Sequence, residues 1–567
     1  MSSNFLEKML KESDAYSTME MIESFVEQGV SLHNIPLQPL YLALKDLSPT
    51  QVQEYLPALS SEQRSLMQDL DIWTKDELDP NEFEFWIQSF AQCLDDEVRS
   101  EFANGIPFLL YLKGRFNIWT FDVEDPQYPD HDNYFLSDDS LLLFEFHADF
   151  PYVAEVRALI REIYSEMGVE KAYTWIFKMV SESALTIVED EYQAKKGRLN
   201  DAGFVDYYDA LRIDNPFANM SYLEHELRKK TSLSVGVSTF SKSQVLPKKA
   251  LSPFRDSFSS FDSELLKLKD EKRQAYLRFN FLRLVNGNVA LRGSFKDGAI
   301  AINRAGEKTK YCLLLGFDYL LNKGSEFFTV GEEGIFELFD FTEIFRIGNS
   351  LIRFTQGDLK KALRGEENLE AFLGRSLNEF IDHSLDVPVR YCPNPDERAS
   401  YIDNVKTYEA WKEQADLVCA MMPFIVRLYK DFKPLKESGR IQDHFYLNYQ
   451  VDDIDFEAVL ISSFANFVLL QRGSLGQEQI EKGKLGLTLK EMREFVSALF
   501  NGGEEVDETS FNAFASAFKT SFGFDQITHF EDFFLTLIKS QLEGYDYANL
   551  ADEEFAHVGG PILLNYQ

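Results

Sequence analysis

Apolar residues recur at spacings of three and four along most of the chain, the period of helices that bury one face. A clear example starts near Asp79, where Phe83, Ile87, Phe90 and Ala91 form one stripe with Trp86 beside it. A second runs from Val153, with Val156, Leu159, Ile160, Ile163 and Met167 on one face and Gly168 as its stop. A further helix is expected from about Glu170 through Trp175 and Val180 toward Leu199, closed by Gly203, after which Asp206 caps the helix opening at Tyr207. Helical patterns return at Phe261 to Leu284, Tyr311 to Leu321, Phe341 to Phe354 and Trp411 to Asp431. The Phe-rich segments FNAFASAF and FEDFFLTLIKSQL close the chain, and a packed interior accounts for their aromatics.

The period changes around Phe116 and Ile118, which alternate with polar neighbours, and at the short apolar run Leu141 to His147. These predict a strand pair near 115–147 around the loop 124–140. His444 to Val451 alternates in the same way. Helix starts are densest between Ser48 and Glu82, where Ser48-Pro49-Thr50-Gln51, Ser60-Ser61-Glu62-Gln63, Thr74-Lys75-Asp76-Glu77 and Asp79-Pro80-Asn81-Glu82 each set a capping oxygen three residues ahead of a Glu or Gln. Pro49 and Pro80 fall at the first helical position, where a missing N–H costs nothing. The predicted product is a series of short, stacked helices.

At 567 residues the chain exceeds what one hydrophobic core holds, so two or three domains are expected. The clearest boundary is the window 227–255, which holds Arg228, Lys229, Lys230, Lys242, Lys248, Lys249 and Arg255 and no Asp or Glu. The predicted order is an N-terminal helical domain (1–226), a basic Ser/Lys-rich linker (227–262), a central helical domain (263–385) and a Phe-rich, mainly helical domain (386–567). The fold class is mainly α, helical-repeat-like, with a few minor strands.

Charge narrows the partners. A net charge of -36 repels nucleic acid phosphates and anionic lipid, and favours basic, cationic or neutral partners. Cys93, Cys312, Cys392 and Cys419 are scattered without close pairing, which fits a reducing compartment and suggests neither a disulfide framework nor a zinc site. The N-terminus has acidic residues where a signal peptide needs an apolar run, and no stretch reaches the roughly 18 apolar residues of a membrane span. The expected setting is the cytoplasm.

Four stretches occur in a telling order: DLDIW (Asp69 to Trp73), EDEYQAKKGRLNDAGFVDYYDAL (Glu189 to Leu211), LLLGFDYLL (Leu313 to Leu321) and FTEIFRIGNSLI (Phe341 to Ile352). Together they resemble an uncharacterised family of large, mostly helical bacterial proteins of unknown function. The resemblance implies a helical fold and a bacterial cytoplasmic setting, and carries over no activity. Residues 48–94 are similar in shape to the cytosolic helical-repeat domain of magnesium transporters.

Candidate chemistry is sparse. Asp130, His131 and Asp132, with His147 near them if the flanking strands pair, have side chains suited to a divalent metal; a solvated acidic loop is the competing reading. Arg198 and Asp206 flank the Gly203 turn and are expected to bridge it or to form a charged recognition face. Arg346 lies in an apolar segment three residues after Glu343, placed to pair with it or to orient an anionic ligand. No phosphate loop, GxSxG or HExxH occurs, and no cofactor is called for. The basic window is the one candidate for nucleic acid, which the acidic flanks disfavour. The expected function is a non-enzymatic cytoplasmic scaffold or regulatory protein with a protein partner; the alternative is a metal-dependent enzyme using the Asp130/His131/Asp132 loop.

Overall fold

The structure, a computed structural model, describes residue 23 and residues 31–34, 37–74, 77–181, 184–205, 207–230, 259–291, 298–329, 334–364, 369–392, 398–437, 454–476, 487–501 and 505–558. The fold is mainly α, with a few short antiparallel strands. Two compact units divide the chain, Met1–Asn349 and Ser350–Gln567. The break falls at 349/350 and not at the basic window, because the helices that follow the window pack back onto the N-terminal part. Gly287 of the Glu271–Leu291 helix faces Val205 and Ala210, and Asn286 donates to the Gly203 carbonyl at 2.8 Å. Most of the window, like the alternating run His444 to Val451, lies outside the described residues.

Three of the four start signals open helices. Pro49–Tyr55 begins after Ser48, whose amide donates to the Gln51 side chain at 3.1 Å. Ser61–Asp71 begins after Ser60, which accepts from the Gln63 amide at 3.1 Å. Pro80–Ala91 is capped by Asp79, which accepts from the Asn81 amide at 3.0 Å. The signal at Thr74 opens no helix. Instead Trp73–Thr74 pairs antiparallel with Glu77–Leu78, since Trp73 is buried against Tyr192 and tertiary packing outweighs a local cap.

The predicted strand pair forms between Asn117–Thr120 and Leu142–Glu145, with Asn117 opposite Glu145 and Thr120 opposite Leu142. A third strand from the intervening loop, Tyr134–Leu136, lies on the other side of Leu142–Glu145. The rings of Phe135 and Phe144 stack at 5.0 Å on the buried face. Downstream, Val153–Met167 ends at Gly168 (φ 75), as its periodicity requires. The next predicted helix is helical over two described segments, Val169–Ser181 and Ala184–Asp201. The second ends at Gly203 (φ 85), where the Phe204 amide donates back to the Leu199 carbonyl at 2.8 Å. Phe204 and Leu199 then pack with Leu66, the hydrophobic contact that accompanies this type of helix end.

The Ser61–Asp71 helix carries two buried aspartates at its C-terminal end, where the helix dipole disfavours negative charge. Each is held by specific donors. Asp71 accepts from the Tyr41 hydroxyl at 2.9 Å, from Lys45 at 2.7 Å and from the Trp86 indole at 2.8 Å. Those donors lie on the Leu37–Lys45 and Pro80–Ala91 helices, so one carboxylate ties three helices together. Asp69 receives both prongs of Arg198, Nε to Oδ2 at 2.7 Å and Nη2 to Oδ1 at 2.9 Å, which fixes the Ala184–Asp201 helix to the same point. Arg198 also donates to Glu191 at 2.7 Å, and Lys195 lies 5.2 Å over the Trp73 ring.

A second junction joins the Gly298–Lys323 and Phe341–Ala362 helices. A Cβ on Gly316 would collide with the Ile344 carbonyl oxygen, and one on Gly348 with the Cys312 carbonyl oxygen. The two backbones therefore touch where both side chains are absent. The four stretches that carry the family resemblance are thus two pairs of contact surfaces.

The core of unit 2 is built on Phe456–Gln471, a helix apolar all round and buried along most of its length. Phe464 sits at its centre, fully buried, with Phe495, Phe511, Phe518 and Phe534 presented edge-on to it. These rings come from Leu489–Leu499, Glu508–Phe522 and Phe530–Leu542, so the Phe-rich C-terminal segments surround one central helix.

Three outcomes follow in urea unfolding. Gly316→Ala or Gly348→Ala is expected to cost about 1–3 kcal/mol by overpacking. Gly357→Ala on the Phe341–Ala362 helix meets open space and is expected to stabilise by about 0.5–1 kcal/mol through helix propensity. Equal effects at the three positions would refute the close crossing. Arg198→Ala strands the buried Asp69 carboxylate and is expected to cost about 3 kcal/mol, with Arg198→Lys recovering only part because it lacks the two-pronged geometry.

Candidate functional site

Within unit 2 a cavity of about 570 Å³ opens between the helices Arg375–Leu385, Val405–Glu437 and Phe530–Leu542. Its frame is fixed by buried contacts. Trp411 donates its indole N–H to the Ser384 hydroxyl at 2.9 Å, and Gln356 donates to the Ser384 carbonyl at 2.9 Å. The chain then runs into Arg390–Tyr391, which pairs antiparallel with Ser400–Tyr401 and sets Tyr391 and Cys392 into the wall.

The walls combine Phe380, Leu417 and Phe533 with polar groups from all sides. Most charges there have a partner. Arg390 is held by Asp386 through Nε at 2.9 Å, Glu379 by Arg375 at 2.7 Å, and His529 stands 3.5 Å from Asp532. His529 adopts a left-handed backbone (φ 59) at the start of its helix, an uncommon conformation for a residue with a side chain. Glu413 has no hydrogen-bond or ion-pair partner among the described residues. Tyr391 is 7% exposed, and its hydroxyl likewise has no hydrogen-bond partner among the described residues. Burial raises its pKa, and the neighbouring Cys392 and Glu413 add to the shift, so the hydroxyl keeps its proton.

The residues picked out from sequence lie elsewhere and are largely occupied. Arg198 is committed to Asp69 and Glu191, and Asp206 lies outside the described residues. Arg346 donates to the Asn215 carbonyl at 2.8 Å and lies 4.2 Å over the Phe217 ring, while Glu343 binds Lys230 and closes a capping box with Asp340. His131 meets Glu145 at 2.8 Å, whereas Asp130 and Asp132 are exposed. His147 is 83% exposed beside Asp149. Among the described residues no group of three or more His, Cys, Asp or Glu side chains is placed to hold a metal ion, and no helix is long and apolar enough to cross a membrane.

A model described as a family of unknown function (DUF6178) matches residues 3–555. The chain belongs to that family. No curated protein and no solved structure matches it, so the likeness of residues 48–94 to the magnesium-transporter domain has no match behind it. For this DUF6178 chain the cavity residues escaped sequence reading because they come from elements between 376 and 536 with no shared motif. Arg390, Tyr391 and Cys392 are the longest consecutive stretch among them.

A second polar group lies near the cavity residue Ser376. Glu457 is 7% exposed, and its Oε1 has no hydrogen-bond partner among the described residues. Burial pushes its carboxyl up to about 7; Asp455 adds to the shift, and a hydrogen bond from Ser376 opposes it. A raised carboxyl pKa stabilises the fold fully below the unfolded value of 4.5 and loses that stability as pH rises through about 7. Glu457→Gln is therefore expected to be more stable than the parent at pH 8, by on the order of 3 kcal/mol, and to flatten the pH dependence above 4.5. Thermal melts between those pH values read the effect, and parallel curves for the two proteins would contradict it.

Proposed function

We propose that the chain is a non-enzymatic, cytoplasmic helical scaffold or regulatory protein that works by binding a protein partner, with the unit 2 cavity as its candidate contact site. The observation that carries this reading is how the charged residues of the site-like stretches are used. Arg198 and Arg346 hold helices or carbonyls, and His131 holds a strand residue. The cavity offers walls and polar groups, and its chargeable side chains are drawn mostly into pairs. A binding role suits that arrangement better than proton transfer between poised groups. The net charge of -36 favours a basic or neutral partner and disfavours nucleic acid.

The metal-dependent alternative at Asp130, His131, Asp132 and His147 draws no support from the side-chain positions. Affinity purification of the full chain at low salt is expected to recover a stoichiometric protein partner whose capture weakens as salt rises. Recovery of the chain alone would overturn the reading. So would a stoichiometric divalent metal in elemental analysis accompanied by hydrolytic activity that a chelator abolishes.

A further inference from the structure

We propose that the unit 2 cavity is a receptor for an organic cation, an ammonium or guanidinium group on an apolar stem. This rests on reading the cavity as a binding site and names the chemistry it selects. Tyr391 is more than nine-tenths buried and lines the cavity, yet its hydroxyl has no hydrogen-bond partner among the described residues. The hydroxyl is reached from the cavity, so a ligand donor that enters can pair with it. Beside it stands Glu413, a carboxylate with no partner of its own among the described residues, and Asp532 adds a second carboxylate at the rim.

The same cavity holds Phe380 and Phe533 with the Tyr391 ring. Aromatic faces next to a carboxylate form the arrangement that retains organic cations. An anion fits poorly, because Arg390 is already bound by Asp386 while Glu413 and Asp532 would repel it. A bare divalent metal fits poorly too, since the donors are not grouped for coordination among the described residues. The volume, about 570 Å³, exceeds that of an ammonium group and leaves room for a stem along Phe380 and Leu417. The cation has two sources of the same chemistry, a free amine or a Lys or Arg side chain of a partner.

Calorimetric titration of the full chain tests this with four probes: acetyl-arginine amide, acetyl-lysine amide, spermidine and the neutral acetyl-glutamine amide. The cations are expected to bind, with the neutral amide at least about tenfold weaker. Glu413→Gln, on an exposed side chain, is expected to keep the parent melting curve and lose about tenfold in cation affinity, with a smaller loss for Tyr391→Phe. Tighter binding of the amino-acid amides than of spermidine assigns the site to a partner side chain; the reverse order assigns it to a free amine. Equal binding of the neutral amide, or a Glu413→Gln protein with unchanged affinity, overturns the proposal. If no cation binds while a stoichiometric partner is still recovered, the cavity assignment falls and the interaction reading stands. If cations bind and no partner is recovered, the cavity assignment holds and the interaction reading falls.

Discussion

Two carboxylates buried at the wrong end of a helix organise the N-terminal part of unit 1. At a helix C-terminus the backbone carbonyls already present partial negative charge, so Asp69 and Asp71 are tolerable only with donors close by. Burial alone raises the Asp69 pKa, and Arg198 pulls it back. The donors must therefore arrive in fixed places: Tyr41 and Lys45 from before the helix, Trp86 from after it, and Arg198 from 129 residues on. Packing of Trp73 against Tyr192 and beneath Lys195 follows from the same anchoring. Apolar burial supplies most of the driving force. The aspartates decide which helices meet.

This explains why local structure was readable in the chain and the site was not. Caps act within four residues, so Ser48, Ser60, Asp79, Gly168 and Gly203 announce helix ends without knowledge of the fold. Thr74 shows the limit, since a sound capping pattern yields to the burial of the neighbouring Trp73. Arg198 drew notice as a charged residue on a patterned helix. Its two-pronged partner Asp69 lies 129 residues away, where no spacing rule reaches, because a planar guanidinium suits a carboxylate that can accept both prongs. The cavity was harder still. Tyr391, Glu413 and Asp532 become neighbours only after three helices and a strand have packed, and none looks unusual in its own stretch.

The two junctions of unit 1 use opposite means to the same end. At Asp69 and Arg198 a strong directional contact holds two helices, while at Gly316 and Gly348 the removal of side chains lets two backbones meet. Unit 2 uses a third means, a central helix without a polar stripe surrounded by aromatic rings. Its exceptions are informative. A helix as apolar as Phe456–Gln471 has little reason to carry Glu457, whose carboxyl pKa is pushed up to about 7 by burial and by Asp455, against a hydrogen bond from Ser376.

Glu457 and Glu413 are two carboxylates of unit 2 in opposite settings. Glu457 is enclosed, so its charge is set by the core, and its effect appears in stability across pH. Glu413 is exposed beside a buried, unpartnered tyrosine, so its charge is available to whatever enters the cavity. Trp411, Ser384 and Gln356 tie together the helices that frame the cavity, and a fixed frame is what the proposed binding role requires. The family match runs through both units, so the rigid core and the cavity belong to one matched stretch of chain. Glu413 and Asp532 are exposed and stand outside the rings around Phe464, so under the proposed reading a substitution at either changes the ligand without disturbing those rings.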